Sequence, residues 1–440
     1  MNSKFSKSLS AQEEAKKRIP GMCQLLSKRP DMFSQGVWPA YYSKASGSKV
    51  WDLDGNEYTD MSISGIGACV LGYNDPDVDG AVINAIKNGV ASSLNCYEEI
   101  ELAELFCEIH PWADMVRYAR TGGESMTVAV RIARAATGRD KIAFCGYHGW
   151  HDWYLAANVG TDNALGEHLI PGLEPAGVPS QLSGTALPFG YNKPEELEKI
   201  LAENKGEIAA IVMEPIRNID PEPGFLEKVK QMAHEAGAVL VYDEISAGFR
   251  ICVGGSHLKL GCEPDIAVFS KAIGNGYPIG VIMGRQSVME AAQKTFISST
   301  NWTERSGPTA ALATIKKYRD NNVHEHLLSM GKAVQQGWEK AAENQGLKVH
   351  SGGIYPLSHF AFEMDEPLAL KALFVQFMRD RGFLASNIYY PMFAHTEDDV
   401  ERYLAATEEC FGLIAEAIKA GKVHDLMEGK ASGSGFKRIT

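Results

Sequence analysis

The chain has no apolar run approaching the length that crosses a bilayer, so no membrane-spanning helix is expected. Its eight cysteines are scattered without C-x-x-C spacing or a His/Cys cluster, which indicates neither a zinc site nor a disulfide framework. No Gly-Lys-Ser/Thr closes a phosphate loop, and no G-x-G-x-x-G links a strand to a helix. Nucleoside triphosphate and dinucleotide readings therefore lose their main support. Positive charge is also short, with 43 Lys and Arg against 55 Asp and Glu and a net charge of -12. That balance argues against nucleic acid, which needs concentrated basic residues. The segment Met1-Asn2-Ser3-Lys4-Phe5-Ser6-Lys7 lacks the apolar core of a signal peptide. A cytoplasmic protein with reduced thiols is the expectation.

What is present is an ordinary globular composition, 45% apolar and 22% charged, over 440 residues. Residues 1–35 read as an amphipathic, charged arm. Two short strands follow around Val50 and Thr59, joined by the turn signal Asp54-Gly55-Asn56. From about residue 80, strands and helices alternate. Strands are predicted at Met115–Arg120, Lys141–Phe144, Ile208–Met213, Ala238–Tyr242 and Ile266–Phe269. Helices are predicted at 81–89, 99–110, 125–136, 195–203 and 226–236. Alternation of this kind predicts an α/β fold with a mostly parallel, doubly wound sheet. Residues 151–190 form a Gly/Pro-rich stretch with little periodicity, which predicts a functional loop or lid. Helices dominate after about 310. The expected divisions are an arm and small-domain segment at 1–75, a large domain at 76–312, a C-terminal small domain at 313–428 and a loose tail at 429–440.

Chemistry gathers where the predicted strands end. Thr121-Gly122-Gly123-Glu124-Ser125 lies between a strand and a helix, as a phosphate cradle or an ordinary turn. Tyr147-His148-Gly149-Trp150-His151 ends the next strand, with an aromatic able to lie on a flat ring. His148 and His151 have no acidic or cysteine partner nearby in sequence, so no metal site is expected. Glu214-Pro215 ends a third strand, as an orienting acid or a plain terminator. Val239-Leu240-Val241-Tyr242 runs into Asp243-Glu244-Ile245-Ser246. Phe269-Ser270-Lys271 puts an amine just before a Gly-x-Gly-x-Pro-x-Gly turn. A glycine turn, an aromatic, an acid and a lysine on one sheet edge suit pyridoxal 5'-phosphate. The acid would keep the pyridine nitrogen protonated, and the lysine would hold the aldehyde as an imine.

Asp243-Glu244-Ile245-Ser246-Ala247-Gly248-Phe249-Arg250, Val253-Gly254-Gly255, Glu263-Pro264-Asp265 and Ser270-Lys271 together resemble the class III, fold type I, pyridoxal-phosphate aminotransferases. The resemblance runs from about Trp38 to His395-Thr396-Glu397-Asp398-Asp399. It implies a large, mostly parallel seven-stranded-type sheet domain and a smaller α+β domain built from the N- and C-terminal segments. By resemblance Lys271 carries the cofactor and serves as the catalytic residue, and Asp243 pairs with the pyridine nitrogen. Tyr147 stacks on the ring, Ile245 packs on its other face, and Gly122 and Gly123 bind phosphate. Glu214 and Ser246 complete the cofactor set. Ser246 stands where the family often has a glutamine, and Gly123 where it often has a hydroxyl residue.

A threonine from a second subunit completes the phosphate site in this family, which implies a homodimer with shared sites. Thr303 aligns with it, and Thr300 is the alternative. Ala176-Gly177-Val178-Pro179 and Tyr191-Asn192 further resemble the glutamate-1-semialdehyde aminomutase branch. Thr303-Glu304-Arg305-Ser306-Gly307-Pro308 resembles bacterial aminotransferases of sugar-derived aldehydes. The implied reaction takes an amino group from glutamate to an aldehyde, such as that of 8-oxo-3,8-dideoxy-manno-octulosonate. The rivals are an aminomutase and, more remotely, a catalytically silent protein on the same fold. Arg217, Arg250 and Arg305 each suit a substrate carboxylate or a structural ion pair. Trp38, Tyr41 and Tyr42 suit either a pocket wall or core packing.

Overall fold

The computed structural model describes residues 5–161, 164–166, 168 and 173–433. The chain divides into two compact units, one of residues 76–324 and one of residues 1–75 with 325–440. The expected boundary at 312 falls inside helix Ser306–Asp320, whereas the observed division keeps that helix whole.

The unit of residues 76–324 is built on a seven-stranded sheet. Its strands are β1 (Met115–Ala119), β2 (Lys141–Cys145), β3 (Ala186–Pro188), β4 (Ile208–Met213), β5 (Val239–Asp243), β6 (Ile266–Phe269) and β7 (Gly280–Gly284). They lie in the order β1-β7-β6-β5-β4-β2-β3, and every neighbour pair is parallel except the two made by β7. Because β7 runs against both β1 and β6, those two strands point the same way. The carboxyl ends of β1, β2, β4, β5 and β6 therefore share one edge of the sheet.

Every residue of β4, β5 and β6 is buried, as in a sheet covered on both faces. Period-two alternation deals the side chains to two cores. Ile142, Phe144, Val212, Val241 and Val268 meet Met126, Ala129 and Ile132 of helix Gly122–Thr137 on one face. Ala143, Ile211, Leu240 and Tyr242 meet Val229 and Ala233 of helix Phe225–Glu235 on the other. Each fully buried aliphatic side chain contributes about 1.5–3 kcal/mol, so these two layers hold the sheet.

Three departures from expectation have physical causes. Strand β7 was hidden because glycines flank it, and a Cβ on Gly280 would lie 2.0 Å from Ser125 Oγ. Close approach of the helix demands glycine there, not a turn. The stretch 151–190 is also less irregular than expected. Helix Asp152–Leu155 buries Trp153 and Tyr154, and the short β3 pairs with β2; residues 162–163, 167 and 169–172 lie outside the described residues. Finally, the segment expected to be loose from 429 is tied down through 433. The N–H groups of Lys430 and Ser432 reach the carbonyls of Gln35 (3.1 Å) and Leu368 (3.1 Å). Residues 434–440 lie outside the described residues.

The other unit contains a four-stranded sheet with strands Tyr42–Ser46, Lys49–Asp52, Glu57–Met61 and Phe383–Ala385, and a three-stranded one. Asp52 turns the hairpin between Lys49–Asp52 and Glu57–Met61 by accepting the N–H groups of Asp54 and Asn56, both at 2.9 Å. Helices Pro367–Asp380 and Glu397–Lys419 supply Phe374, Tyr403 and Phe411 to a core around Trp338 and Phe360. The His395-Thr396 segment is structural here. Thr396 caps the last helix through Asp399 N–H (3.0 Å), and buried His395, its pKa pushed down to about 4, bridges Met392 N–H and the Asp60 carbonyl. Trp38 stacks on Phe33 at 4.0 Å in this unit's core, the Tyr41 hydroxyl donates to the Met22 carbonyl (2.7 Å), and Tyr42 is exposed.

A Cβ at Gly331 would lie 1.9 Å from the Tyr355 carbonyl oxygen. Gly331→Ala is expected to destabilise this unit by about 1–3 kcal/mol, the usual cost of overpacking. Denaturant unfolding followed by circular dichroism checks this; an unchanged midpoint would contradict the close approach.

Candidate functional site

Helix Gly122–Thr137 begins at Gly122, earlier than the expected 125. The Glu124 carboxylate reaches back to the N–H groups of Arg120 (2.9 Å) and Thr121 (3.3 Å), which fixes the start. Gly122 and Gly123 thus form the first helical turn, whose N–H groups have no intrahelical acceptor. Packing also crowds both glycines. A Cβ on Gly122 would stand 3.0 Å from Ile245 Cδ1, and one on Gly123 would stand 3.1 Å from His151 Cδ2. Ile245 is thereby placed directly against the glycine turn.

Asp243, the last residue of β5, is 3% exposed. Its Oδ1 accepts the Ile245 N–H at 3.0 Å, and its Oδ2 lies 2.8 Å from His148 Nδ1. The other ring nitrogen of His148 lies 3.1 Å from the Cys145 carbonyl, so oxygen flanks both sides of a fully buried imidazole. The sequence reading gave His148 no acidic partner. The fold corrects this, because β2 and β5 lie on the same sheet with only β4 between them. The contact makes no metal site, and no cluster of three or more metal-ligating side chains occurs among the described residues.

The neighbouring carboxylate serves elsewhere. Glu244 accepts Ser256 Oγ (2.8 Å), the His257 N–H (3.0 Å) and His257 Nδ1 (2.7 Å). Trp112 Nε1 donates to His257 Nε2 at 3.0 Å. Burial pushes the Glu244 carboxyl up, but the hydrogen bonds and charge of His257 outweigh it, and the group is held below its ordinary range. Satisfied on all sides, Glu244 is an internal brace.

Glu214 follows β4 and is buried. Its Oε2 accepts the Tyr147 N–H at 3.1 Å and Arg217 Nη1 at 3.2 Å. The Arg217 guanidinium stands 5.8 Å from the Tyr147 ring centroid, and Tyr147 meets Tyr154 edge-on at 6.1 Å.

Lys271 follows β6 in a left-handed backbone conformation, φ 49°, that costs a non-glycine residue about 1–3 kcal/mol. Ser270 Oγ, bonded to the Ile279 carbonyl at 2.8 Å, pins this turn. The Lys271 amine donates to Ser246 Oγ at 2.7 Å, so Ser246 holds the amine itself. Burial, and then the charges of Arg217 and Arg250, press the amine's pKa down to about 8, while Asp243 and Glu214 pull the other way.

The fold thus gathers Gly122, Gly123, Tyr147, Glu214, Asp243, Ile245, Ser246 and Lys271 at the carboxyl edge of one sheet. Thr303 stands apart. It ends the short helix Thr300–Thr303, its hydroxyl donates to the Thr300 carbonyl at 3.2 Å, and no hydrogen bond links it to the other candidates. His148 and Arg217 are the site residues that sequence reasoning left out or unresolved. Local spacing carries no signal for the His148–Asp243 and Arg217–Tyr147 contacts, since both depend on strand order.

A lowered pKa makes the neutral amine the main form above it. In cofactor-free protein, acylation of Lys271 followed by mass spectrometry is expected to rise with a midpoint near pH 8. A midpoint at the ordinary 10.5 would refute the crowding of positive charge and burial around Nζ.

Comparison with known proteins agrees with this fold. Residues 32–406 match the family model "Aminotransferase class-III". The chain is 32% identical over 428 residues to the 3-aminobutyryl-CoA aminotransferase of Cloacimonas acidaminovorans (strain Evry), covering 94% of this chain and 99% of that protein. Among solved structures it resembles the FumI protein of Sphingopyxis sp. MTA144, with TM-score 0.85, 24% identity and coverage of 97% and 99%. It also resembles a glutamate-1-semialdehyde aminomutase of Pseudomonas aeruginosa PAO1, with TM-score 0.80, 20% identity and coverage of 94% and 96%. The fold, the site and the near full-length match together make this chain a member of the class III aminotransferases, enzymes that depend on pyridoxal 5'-phosphate.

Proposed function

We propose that this enzyme moves an amino group from glutamate to a carbonyl acceptor, with Lys271 as its catalytic residue. The observation that carries the reading is Lys271 itself, an amine of lowered basicity held 2.7 Å from Ser246 Oγ in the field of Asp243.

The residues fit pyridoxal phosphate by their chemistry. The first turn at Gly122 and Gly123 offers N–H groups and the positive end of a helix to a phosphate. Asp243, fixed by His148 and by the Ile245 N–H, would hold a proton on the ring nitrogen through charge pairing. Tyr147 would cover one ring face and Ile245 the other, with Glu214 at the rim. Bound there, the cofactor supplies an aldehyde that receives the amino group and a ring that withdraws electrons from the donor Cα. Lys271 Nζ takes the proton from that Cα and later returns one to the new amine's carbon. A pKa near 8 suits both directions, because each protonation state is populated near neutral pH. Ser246 Oγ keeps Nζ aimed, and His148 keeps Asp243 from turning away.

For the acceptor, the segment Thr303–Pro308 supports a sugar-derived aldehyde such as 8-oxo-3,8-dideoxy-manno-octulosonate. A second reading is favoured by the 32% identical relative, whose name gives 3-aminobutyryl-CoA, an amine β to a thioester carbonyl. Offering both carbonyl classes to the aminated enzyme separates the two.

We also infer a homodimer in which Thr303, or Thr300, of a second copy completes the phosphate site. Ile83, Ile86, Leu94, Tyr97, Ile100 and Phe296 are exposed apolar residues of the unit that carries the site, which a second copy could cover. Light scattering is expected to give twice the 48.0 kDa chain mass, and a monomer would end this inference.

Lys271→Ala is expected to lower turnover at least 10²- to 10⁴-fold, the span of general acid–base catalysis. Surviving turnover removes Lys271 from the mechanism. Adding glutamate to the loaded wild-type enzyme should change its visible absorbance and release 2-oxoglutarate. A net isomerisation without ketoacid release would instead identify an aminomutase.

A further inference from the structure

The glycine turn at the head of helix Gly122–Thr137 has little side-chain chemistry of its own to give. Gly122 and Gly123 carry no side chain, and the Glu124 carboxylate turns back to the N–H groups of Arg120 and Thr121. Ser125 Oγ donates to the Thr121 carbonyl at 2.7 Å. The segment after β2 packs against this turn. Gly149, at φ 99°, comes so near that a Cβ there would stand 2.9 Å from Gly123 Cα. Two residues on, the His151 backbone is fixed, because its carbonyl accepts the N–H groups of Tyr154 (3.0 Å) and Leu155 (3.1 Å). Its ring lies over Gly123, with Cδ2 at 3.1 Å and Nε2 at 3.5 Å from a Cβ placed there. The imidazole thus stands beside the space that a side chain at 123 would take. No hydrogen bond reaches either of its ring nitrogens among the described residues.

We propose that His151 is a further cofactor-binding residue, whose imidazole N–H joins the backbone N–H groups of the Gly122–Gly123 turn in holding the phosphate. Backbone donors and a helix end favour an anion in general. A side-chain donor beside them adds a hydrogen bond to a charged group and fixes where that group sits. Burial holds the His151 pKa below the ordinary histidine value, against Glu124 and Asp152, which raise it. The contact does not need a cation, since a neutral imidazole still carries one N–H. Glycine at 123 and histidine at 151 are matched, because a larger residue at 123 would meet the ring that supplies the donor. This deepens the cofactor reading of the glycine turn and rests on it for the identity of the ligand.

The test compares pyridoxal 5'-phosphate with pyridoxal, which has the same aldehyde and ring but no phosphate. Each is titrated by visible absorbance into the full-length chain freed of cofactor. His151→Ala is expected to weaken pyridoxal phosphate by roughly tenfold to a hundredfold, the range of a hydrogen bond to a charged group. Its affinity for pyridoxal should stay that of the wild type, a difference that a purely structural role would not produce. His151→Gln keeps an N–H donor on a side chain of similar reach and should recover most of the loss. His151→Phe keeps a ring over Gly123 without a donor, should lose as much as the alanine variant, and carries the test if that variant does not fold. Unchanged pyridoxal phosphate affinity in the alanine and phenylalanine variants, or an equal loss for both ligands, overturns the proposal and leaves the cofactor reading intact. A wild type that binds pyridoxal phosphate no better than pyridoxal rejects the phosphate role of the glycine turn and the proposal with it. A wild type that binds neither rejects the cofactor site itself.

Discussion

The central strands of the large sheet are buried on both faces, and this constraint governs everything polar in the unit that carries them. Residues of β4, β5 and β6 cannot bear charge along their length without losing solvation on either side. Charge can appear only where a strand runs out. Glu214, Asp243 and Lys271 all stand at or just beyond such ends. Parallel pairing then brings those ends to one edge, so the same burial that stabilises the sheet concentrates its ionisable groups.

What happens at the edge is decided by second partners. Asp243 and Glu244 are adjacent in the chain yet have different fates. Asp243 is held by one histidine and one N–H and remains beside Lys271. Glu244 is enclosed by Ser256 and His257, with Trp112 behind the imidazole. Successive residues of an extended chain point to opposite sides, so one carboxylate faces the candidate site and the other braces the fold. Similar logic applies to arginine. Arg305 and Arg250 are drawn into structure, while the half-buried Arg217 pairs with Glu214 near the Tyr147 ring.

Much of this was legible beforehand because burial writes a strong pattern. The apolar runs before Glu214, Asp243 and Lys271 marked three central strands, and the residues following each were the chemical ones. Glycine misled where its reason was packing. Gly280 begins a strand, but its spacing after Pro278 read as turn, since the helix that needs the room lies far away in sequence. The start of helix Gly122–Thr137 was read late for the opposite reason: two glycines look like a loop, and only the reach of Glu124 back to Arg120 and Thr121 fixes the first turn.

The sequence by itself determined which groups would be chemically available: an amine, an acid, an aromatic and a glycine turn, each at the end of an apolar segment. That follows from burial and periodicity, which are local. Only the tertiary structure decided their pairing. His148 meets Asp243 because β2 and β5 share a sheet, Ser246 meets Lys271 because β5 and β6 are neighbours, and Arg217 reaches Tyr147 because β2 and β4 are. Strand order is a long-range property of packing, and no spacing along the chain encodes it.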